Sequence, residues 1–183
     1  MSAMFSLNDL GELSIFLGIE FTKTTLLLLL TQRKYIEQLL QKTNLLLITP
    51  YATPMAVNVH LHAGDSENFS NPSLYRSVLG TLQYMCYTRL DITFTVNKLS
   101  QFKHEPTVKQ WNCVERLLRY LKGTSTYGLL IKPALHFCVQ AFAHADHGGS
   151  HFDQRSTSGF CTYLGLNPIT WTSCKQQVIA QSV

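Results

Sequence analysis

The sequence lacks any apolar stretch long enough to cross a membrane. The longest aliphatic runs, residues 26–30 and 45–48, are far shorter than the ~20 residues that a membrane-spanning helix needs. Residues 1–6 have neither the basic start nor the apolar core of a signal peptide. We therefore expect an intracellular protein that is not secreted and has no membrane partner.

The cysteines are scattered and odd in number, and none of them forms a Cys-x-x-Cys pair. This spacing suggests neither a zinc ribbon nor a disulfide framework. We expect free thiols, buried or partly exposed, at each position: Cys86, Cys113, Cys138, Cys161 and Cys174.

Acidic residues are also sparse, and no two of them are adjacent. After Glu115 the chain holds only Asp146 and Asp153. Two-metal catalysis of nucleotidyl transfer or phosphodiester hydrolysis needs clustered carboxylates that hold two ions ~4 Å apart. The sequence contains few of the ligands that such a site requires.

Asp146 is nevertheless the most informative acid in the chain. It follows an apolar stretch and precedes the turn Gly148-Gly149. A second short motif, Arg-Ser-Thr-Ser-Gly-Phe, follows at residues 155–160. A carboxylate at a strand end beside a flexible turn is a natural ligand for a hard cation such as Mg²⁺.

The formal net charge of +4 is distributed unevenly. Residues 70–135 carry nine basic and three acidic side chains, whereas residues 1–69 carry four basic and six acidic ones. Residues 136–183 are balanced. A basic middle segment can follow a phosphate backbone, although a solvated helical face would give the same pattern.

The hydrophobic periodicity predicts an α+β chain in three parts. Residues 12–31 alternate as a strand pair, and residues 31–44 have the apolar spacing of a helix. Prolines, a glycine and polar residues make 49–72 a long loop or linker. We then expect three helices, at residues 73–87, 91–102 and 107–122.

Two of those helices carry end signals. Asp91 is a candidate N-cap for the second, and Gly123 is a candidate C-cap for the third. Three basic residues of the third helix, Arg116, Arg119 and Lys122, lie off its apolar stripe at i, i+3 spacing.

From residue 135 onward the pattern changes to strands. We expect strands at residues 137–145, 159–164 and 169–173, with a turn at residues 165–168. Residues 176–183 have the pattern of a helix start.

Nine short motifs cover nearly the whole chain, in a fixed order. They lie at residues 10–13, 16–20, 32–36, 52–55, 75–84, 88–92, 117–124, 155–160 and 171–176. Together they resemble the Pol polyprotein of copia-type LTR retrotransposons, and nine matches in order make the resemblance specific.

The resemblance implies three regions. Residues 1–72 are the C-terminal end of the reverse-transcriptase palm, with a truncated palm β-hairpin and helix and the linker. Residues 73–132 are a three-helix, thumb-like region and connection. Residues 133–183 contain the first three antiparallel strands of a ribonuclease H-like sheet, which is truncated.

The resemblance also implies nucleic-acid partners. These are an RNA–DNA hybrid or a template–primer duplex, together with the missing parts of the Pol polyprotein. In such polymerases a helical thumb grips the nucleic-acid backbone, so Arg116, Arg119 and Lys122 become the candidates for phosphate contacts. The alternative function is a non-catalytic nucleic-acid-binding module that uses these basic helices.

The intact family uses Mg²⁺ held by several carboxylates. By resemblance, Asp146 is the first nuclease carboxylate, a catalytic remnant in an incomplete Mg²⁺ site. The polymerase Asp pair and most of the nuclease carboxylates are missing, so we expect no activity from this chain alone and no productively bound cofactor.

The segment around Asp146 departs from the family pattern, because His147 replaces the usual Trp. A histidine-rich run results: His144, His147 and His151, with Asp146 and Asp153 nearby. Such a run could bind Zn²⁺ or Ni²⁺ if the imidazoles converge, and exposed turn histidines are the alternative.

Overall fold

The computed structural model describes residues 11, 13–57, 59–134, 136–146, 148–149 and 153–178. Over these residues the chain forms four α-helices and two antiparallel sheets. The predicted mixture of helices and antiparallel strands is confirmed. No helix in the described ranges combines the length and the apolar character needed to span a membrane.

The first sheet has the strand order β1-β2-β3-β4. Its first three strands, β1 (Ile15–Phe16), β2 (Ile19–Lys23) and β3 (Leu28–Thr31), confirm the strand pair predicted at residues 12–31. The fourth strand, β4 (Gly128–Ile131), pairs with β3 and was not predicted. A Cβ at Gly128 would overlap the carbonyl of Leu30, so only glycine permits this close approach.

The helices are α1 (Arg33–Lys42), α2 (Pro72–Met85), α3 (Thr93–Ser100) and α4 (Val108–Gly123). Asn71 caps α2 by accepting a hydrogen bond from the Leu74 amide at 2.9 Å. Thr107 and Gln110 form a reciprocal capping box on α4. These caps fix where the two longest helices begin.

Two predicted caps are wrong. Asp91 does not cap α3, because it lies in a 3₁₀ turn (Leu90–Ile92) that precedes the helix, and its carboxylate faces Arg89. Gly123 is the last residue of α4, and Thr124 is the C-cap.

The second sheet consists of β5 (Val139–Ala145), β6 (Thr157–Leu164) and β7 (Asn167–Lys175), in that order. The three predicted antiparallel strands are confirmed, and the turn between β6 and β7 is shorter than predicted. Leu164 pairs with Asn167, and Gly165 supplies the positive φ (61°) of the tight turn. Residues 176–178 are not helical, and 179–183 lie outside the described residues.

The hydrophobic core lies among the helices. Every buried apolar side chain in the described residues comes from residues 36–121. The helix-spaced apolar positions supply most of it, including Ile36, Leu39, Val78, Leu82, Met85, Val96, Leu99, Val114, Leu118 and Leu121.

The second sheet packs against this helical core through β7 and α3. The Trp171 Nε1–H donates a hydrogen bond to the Cys86 carbonyl at 2.9 Å, which ties the middle of β7 to the end of α2. The contact places the Asp146 end of the sheet beside α3.

Candidate functional site

Asp146 lies immediately after β5, at the position expected from the sequence. Its Oδ1 accepts a hydrogen bond from the Thr157 amide at 2.6 Å, and its own amide donates to the Thr157 carbonyl at 3.1 Å. The first residue of β6 therefore fixes both the backbone and the carboxylate of Asp146.

The glycine turn after Asp146 makes room for that carboxylate. A Cβ on Gly149 would overlap Asp146 Oδ2. The Gly148 amide donates to Ser156 Oγ at 3.1 Å, and Ser156 is buried. The second motif thus closes the turn against the start of β6.

A cavity of about 280 Å³ opens beside Asp146. One wall is the exposed side of α3, the opposite wall is the end of the second sheet, and the third is the loop at residues 60–63. The polar and aromatic residues that line it include Phe94, Asn97, Lys98, Gln101, Asp146 and Lys175.

The loop at residues 60–63 is fastened to α4. The Lys109 Nζ donates to the His60 carbonyl at 2.9 Å, and the Gln110 Nε2 donates to the His62 carbonyl at 2.9 Å. Asp65 accepts a hydrogen bond from the Thr107 hydroxyl at 2.7 Å and forms an ion pair with Lys109. The cavity wall is therefore braced by the first turn of α4.

The three predicted basic residues lie together along α4, but each of them also holds another part of the chain. Arg116 donates to the Thr53 hydroxyl at 2.8 Å. Arg119 donates to the Thr49 carbonyl at 2.7 Å, and Lys122 donates to the Ile48 carbonyl at 2.7 Å. We call residues 48–53 the strap, because these bonds fasten the segment across the basic face of α4.

Tyr51 completes this arrangement. The guanidinium carbons of Arg116 and Arg119 lie 4.4 and 3.8 Å from the centre of its ring, which is the geometry of cation–π stacking. Among the described residues, the buried Nε of Arg116 has no hydrogen-bond partner. The basic row therefore has a structural role, and any phosphate would share these side chains with the strap.

Sequence reasoning missed a half-buried ionic network between two of the motifs, in which Arg89 is enclosed and the Asp91 side chain is 35% exposed. Arg89 is 2% exposed and donates from Nε and one terminal nitrogen to the two carboxylate oxygens of Asp91, at 2.9 and 2.7 Å. The Tyr120 hydroxyl donates to Asp91 at 2.7 Å. Arg89 also donates to the carbonyl and the hydroxyl of Thr124. The Arg-x-Asp spacing at residues 89–91 was the available signal.

The network sets the charge states of its members. Burial alone would raise the pKa of Asp91, but hydrogen bonds from Arg89 and Tyr120 and the Arg89 charge lower it below its usual value. Burial, and then the hydrogen bond to Asp91, raises the pKa of Tyr120. Asp91 is therefore an ionised structural acid at neutral pH.

Two of the cysteines, Cys86 and Cys113, are not activated nucleophiles. All five are free thiols. Burial raises the pKa of Cys86 to about 11, and burial also raises the pKa of Cys113. Reactive cysteines need the opposite shift.

A metal site requires several converging ligands, and Asp146 is one carboxylate. In the described ranges, no three His, Cys, Asp or Glu side chains form a group that could hold an ion. Asp153, the nearest acid along the chain, pairs with Lys175 at 2.9 Å and with Arg155. His147 and His151 of the histidine-rich run lie outside the described residues, so that alternative stays a hypothesis.

Several known proteins with similar sequences are named as retrovirus-related Pol polyproteins from transposons. The chain aligns over its full length with the retrovirus-related Pol polyprotein from transposon RE2 of Arabidopsis thaliana at 40% identity. It aligns in the same way with the Pol polyprotein from transposon TNT 1-94 of Nicotiana tabacum at 30% identity. The chain spans only 12% and 14% of the lengths of these two polyproteins.

A shorter relative has a similar sequence identity, and the chain covers most of its length. An uncharacterized mitochondrial protein of Arabidopsis thaliana is 39% identical over the full chain, which covers 75% of that protein. No protein-family model and no solved structure matches the chain. The full-length similarity agrees with the ordered motifs, and the chain belongs to the Pol polyprotein family of copia-type LTR retrotransposons.

Proposed function

We propose that this chain is a nucleic-acid-handling part of a reverse transcriptase/ribonuclease H polyprotein. In this proposal residues 1–72 are the end of the palm and a linker, and residues 73–132 form the thumb and connection. Residues 133–183 begin the ribonuclease H-like domain. The names of the relatives support the assignment of this chain to a Pol polyprotein. The division into palm, thumb and ribonuclease H-like regions is part of our proposal.

The observation that carries the proposal is the setting of Asp146. The carboxylate stands at the end of the first strand of a three-stranded antiparallel sheet, is oriented by the Thr157 amide, and faces a cavity shared with α3. A rigidly held acid at a strand end suits a position beside a phosphodiester, where it serves a metal-dependent nuclease. The cavity is also lined by Lys98 and by Lys175, which pairs with Asp153, and this positive charge suits a polyanionic partner.

The described residues do not fit the Mg²⁺ site of the intact family. Asp146 supplies one carboxylate, and no further described acid joins it in a group of metal ligands. We therefore assign no catalytic step to this chain, and we place Mg²⁺ chemistry in the larger polyprotein. On its own the chain would bind RNA–DNA hybrid without cleaving it.

A second candidate is a non-catalytic binding module that uses the basic face of α4. Its support is the alignment of Arg116, Arg119 and Lys122 along that helix. Because the strap occupies a donor of each, phosphate binding there would use their remaining N–H groups or displace the strap. We favour the Asp146 end of the molecule as the nucleic-acid face, because an open cavity lies there beside a rigidly held carboxylate.

The test is filter binding of the purified chain to RNA–DNA hybrid at several salt concentrations. We expect the affinity to fall as salt rises, since each phosphate contact releases counterions. Absent or salt-independent binding would overturn the proposal. A parallel incubation with Mg²⁺ should leave the RNA strand intact. Cleavage of the RNA strand would contradict the proposal that this chain has no nuclease activity on its own.

Two matched variants locate the binding face. Asp146→Asn removes a negative charge from the proposed face and should strengthen hybrid binding about two-fold at low salt. Glu105→Gln removes an exposed acid from the loop between α3 and α4, and it should have a smaller effect. Equal effects of the two variants would mean that the nucleic acid does not approach Asp146.

A further inference from the structure

We propose that the cavity between α3 and the second sheet binds one unpaired nucleotide of a single strand, with its base stacked on Phe94. This inference rests on the proposed nucleic-acid role and names the form of nucleic acid that the cavity takes. It concerns the α3 wall, to which the motif resemblance assigns no function.

The side of α3 that faces the cavity and the turn that follows the helix carry side chains suited to a nucleotide. Phe94, Lys98 and Phe102 follow at i, i+4 and i+8, and Asn97 and Gln101 follow at i, i+4. Phe94, Asn97 and Lys98 belong to α3 and share one face of it, and Gln101 and Phe102 lie in the turn that directly follows the helix. All five line the same cavity, so the sequence and the structure place them together.

These side chains suit the separate parts of a nucleotide: the face of the base, the edge of the base and the phosphate. Phe94 is 46% exposed, which leaves part of its ring accessible to a base, and aromatic stacking accepts any base. The side-chain amides of Asn97 and Gln101 can both donate and accept hydrogen bonds at a base edge. The Lys98 Nζ lies over one face of the Phe94 ring, 5.8 Å from its centre, so the base stacks on the other face and its phosphate lies within reach of the Lys98 charge.

The size and walls of the cavity favour a single nucleotide over a duplex. Its volume of about 280 Å³ is near the lower end of the range for small-ligand pockets, which begins at roughly 300 Å³. It is bounded by the braced loop at residues 60–63 and by the end of the sheet. A base inside a duplex has its faces covered by its neighbours and must leave the stack to reach an aromatic side chain.

The experiment measures base-dependent binding by the full chain. Fluorescence anisotropy compares a labelled oligothymidylate with an abasic strand that has the same number of phosphates. We expect the oligothymidylate to bind more tightly at equal salt. Phe94→Leu keeps the apolar bulk but removes the ring, so it should weaken oligothymidylate binding roughly five- to one-hundred-fold and leave abasic binding unchanged.

Two controls keep the result specific. Phe137→Leu removes an aromatic ring that is 79% exposed and does not line this cavity, so it should not change the preference for bases. Lys98→Gln should weaken both strands, because it removes a phosphate contact. Thermal unfolding of each variant verifies that the fold is retained.

The outcomes separate this inference from the proposed function. If RNA–DNA hybrid binds but the oligothymidylate and the abasic strand bind equally, the nucleotide cavity is wrong and the broader role stands. A base preference that survives Phe94→Leu also overturns the cavity. If neither hybrid nor single strand binds, the proposed function and this inference both fail.

Discussion

The helical region and the three-stranded sheet of this molecule differ in how much of their apolar surface is buried. The described buried apolar side chains all belong to residues 36–121, and several of the largest are fully enclosed. In β5, by contrast, every residue is exposed, and Phe142 is 62% exposed. The helices hold their own core, whereas the sheet depends on its contact with α3 and the end of α2. The cavity lies where the enclosed helical core meets the more exposed sheet.

The largest effect should come from removing core volume in the helical region. Leu118 is fully buried in α4, so Leu118→Ala should lower the free energy of unfolding by about 2–5 kcal/mol. Val139→Ala in β5, where the side chain is 66% exposed, should change it by less than about 0.5 kcal/mol. Urea denaturation followed by circular dichroism measures both. Equal losses would mean that the two regions share one core.

The ionic network around Arg89 should give the next largest effect. Asp91→Asn leaves the enclosed Arg89 guanidinium without its charge partner and should cost about 1–3 kcal/mol at neutral pH, less than for a fully buried pair because solvent screens the exposed side of Asp91. Because the folded pKa of Asp91 is lowered, its stabilising effect is present above the unfolded pKa of about 4 and is lost as the pH falls through the folded pKa.

The pH dependence of stability distinguishes this charge effect from a simple packing defect. The difference in unfolding free energy between the wild-type chain and Asp91→Asn should shrink as the pH falls below about 4. A difference that is constant down to pH 2 would show that the Asp91 charge does not contribute.

Two glycines provide a smaller test of where the backbone is crowded. Gly128→Ala would force β4 away from Leu30 and should cost about 1–3 kcal/mol. Gly80 is exposed within α2 and a Cβ there meets nothing within 4 Å, so Gly80→Ala should stabilise the chain by roughly 0.5–1 kcal/mol. Thermal melts of the pair should shift in opposite directions, and shifts of the same sign would argue against the β3–β4 pairing.

The smallest effect should be at the strap. Tyr51→Leu removes the ring that lies against Arg116 and Arg119, at a cost of roughly 0.5–1 kcal/mol for partly exposed cation–π pairs. Limited proteolysis should show faster cleavage within residues 48–53 and no change in α2. Unchanged cleavage would mean that the hydrogen bonds of Arg119 and Lys122 alone hold the strap.

The helices could be predicted because their signal is local. Val78, Leu82 and Met85 repeat at helical spacing and are all buried, and the strand predicted at residues 159–164 corresponds to β6, which begins two residues earlier. The strand β4 was not predicted, because it is short and its partner β3 lies about a hundred residues earlier in the sequence. Pairing of that kind depends on the tertiary fold and not on local propensity.

The candidate site shows the same limit. The position of Asp146 after a strand could be predicted, since strand, acid and glycine turn are adjacent in sequence. The structural use of Arg116 and Arg119 could not, because their hydrogen-bond partners lie 63 and 70 residues away. The cavity on α3 was missed for the same reason, as its walls come from three separate segments.

The most direct test of the nucleic-acid face is amide hydrogen exchange of the full chain with and without an RNA–DNA hybrid that carries a single-stranded overhang. We predict that hybrid slows exchange at residues 93–101 of the α3 wall and around Asp146 and Thr157, while the basic face of α4 is unchanged. Slowing confined to α4 and the strap, or no slowing anywhere, would contradict the assignment of nucleic-acid binding to the junction of the helices and the sheet.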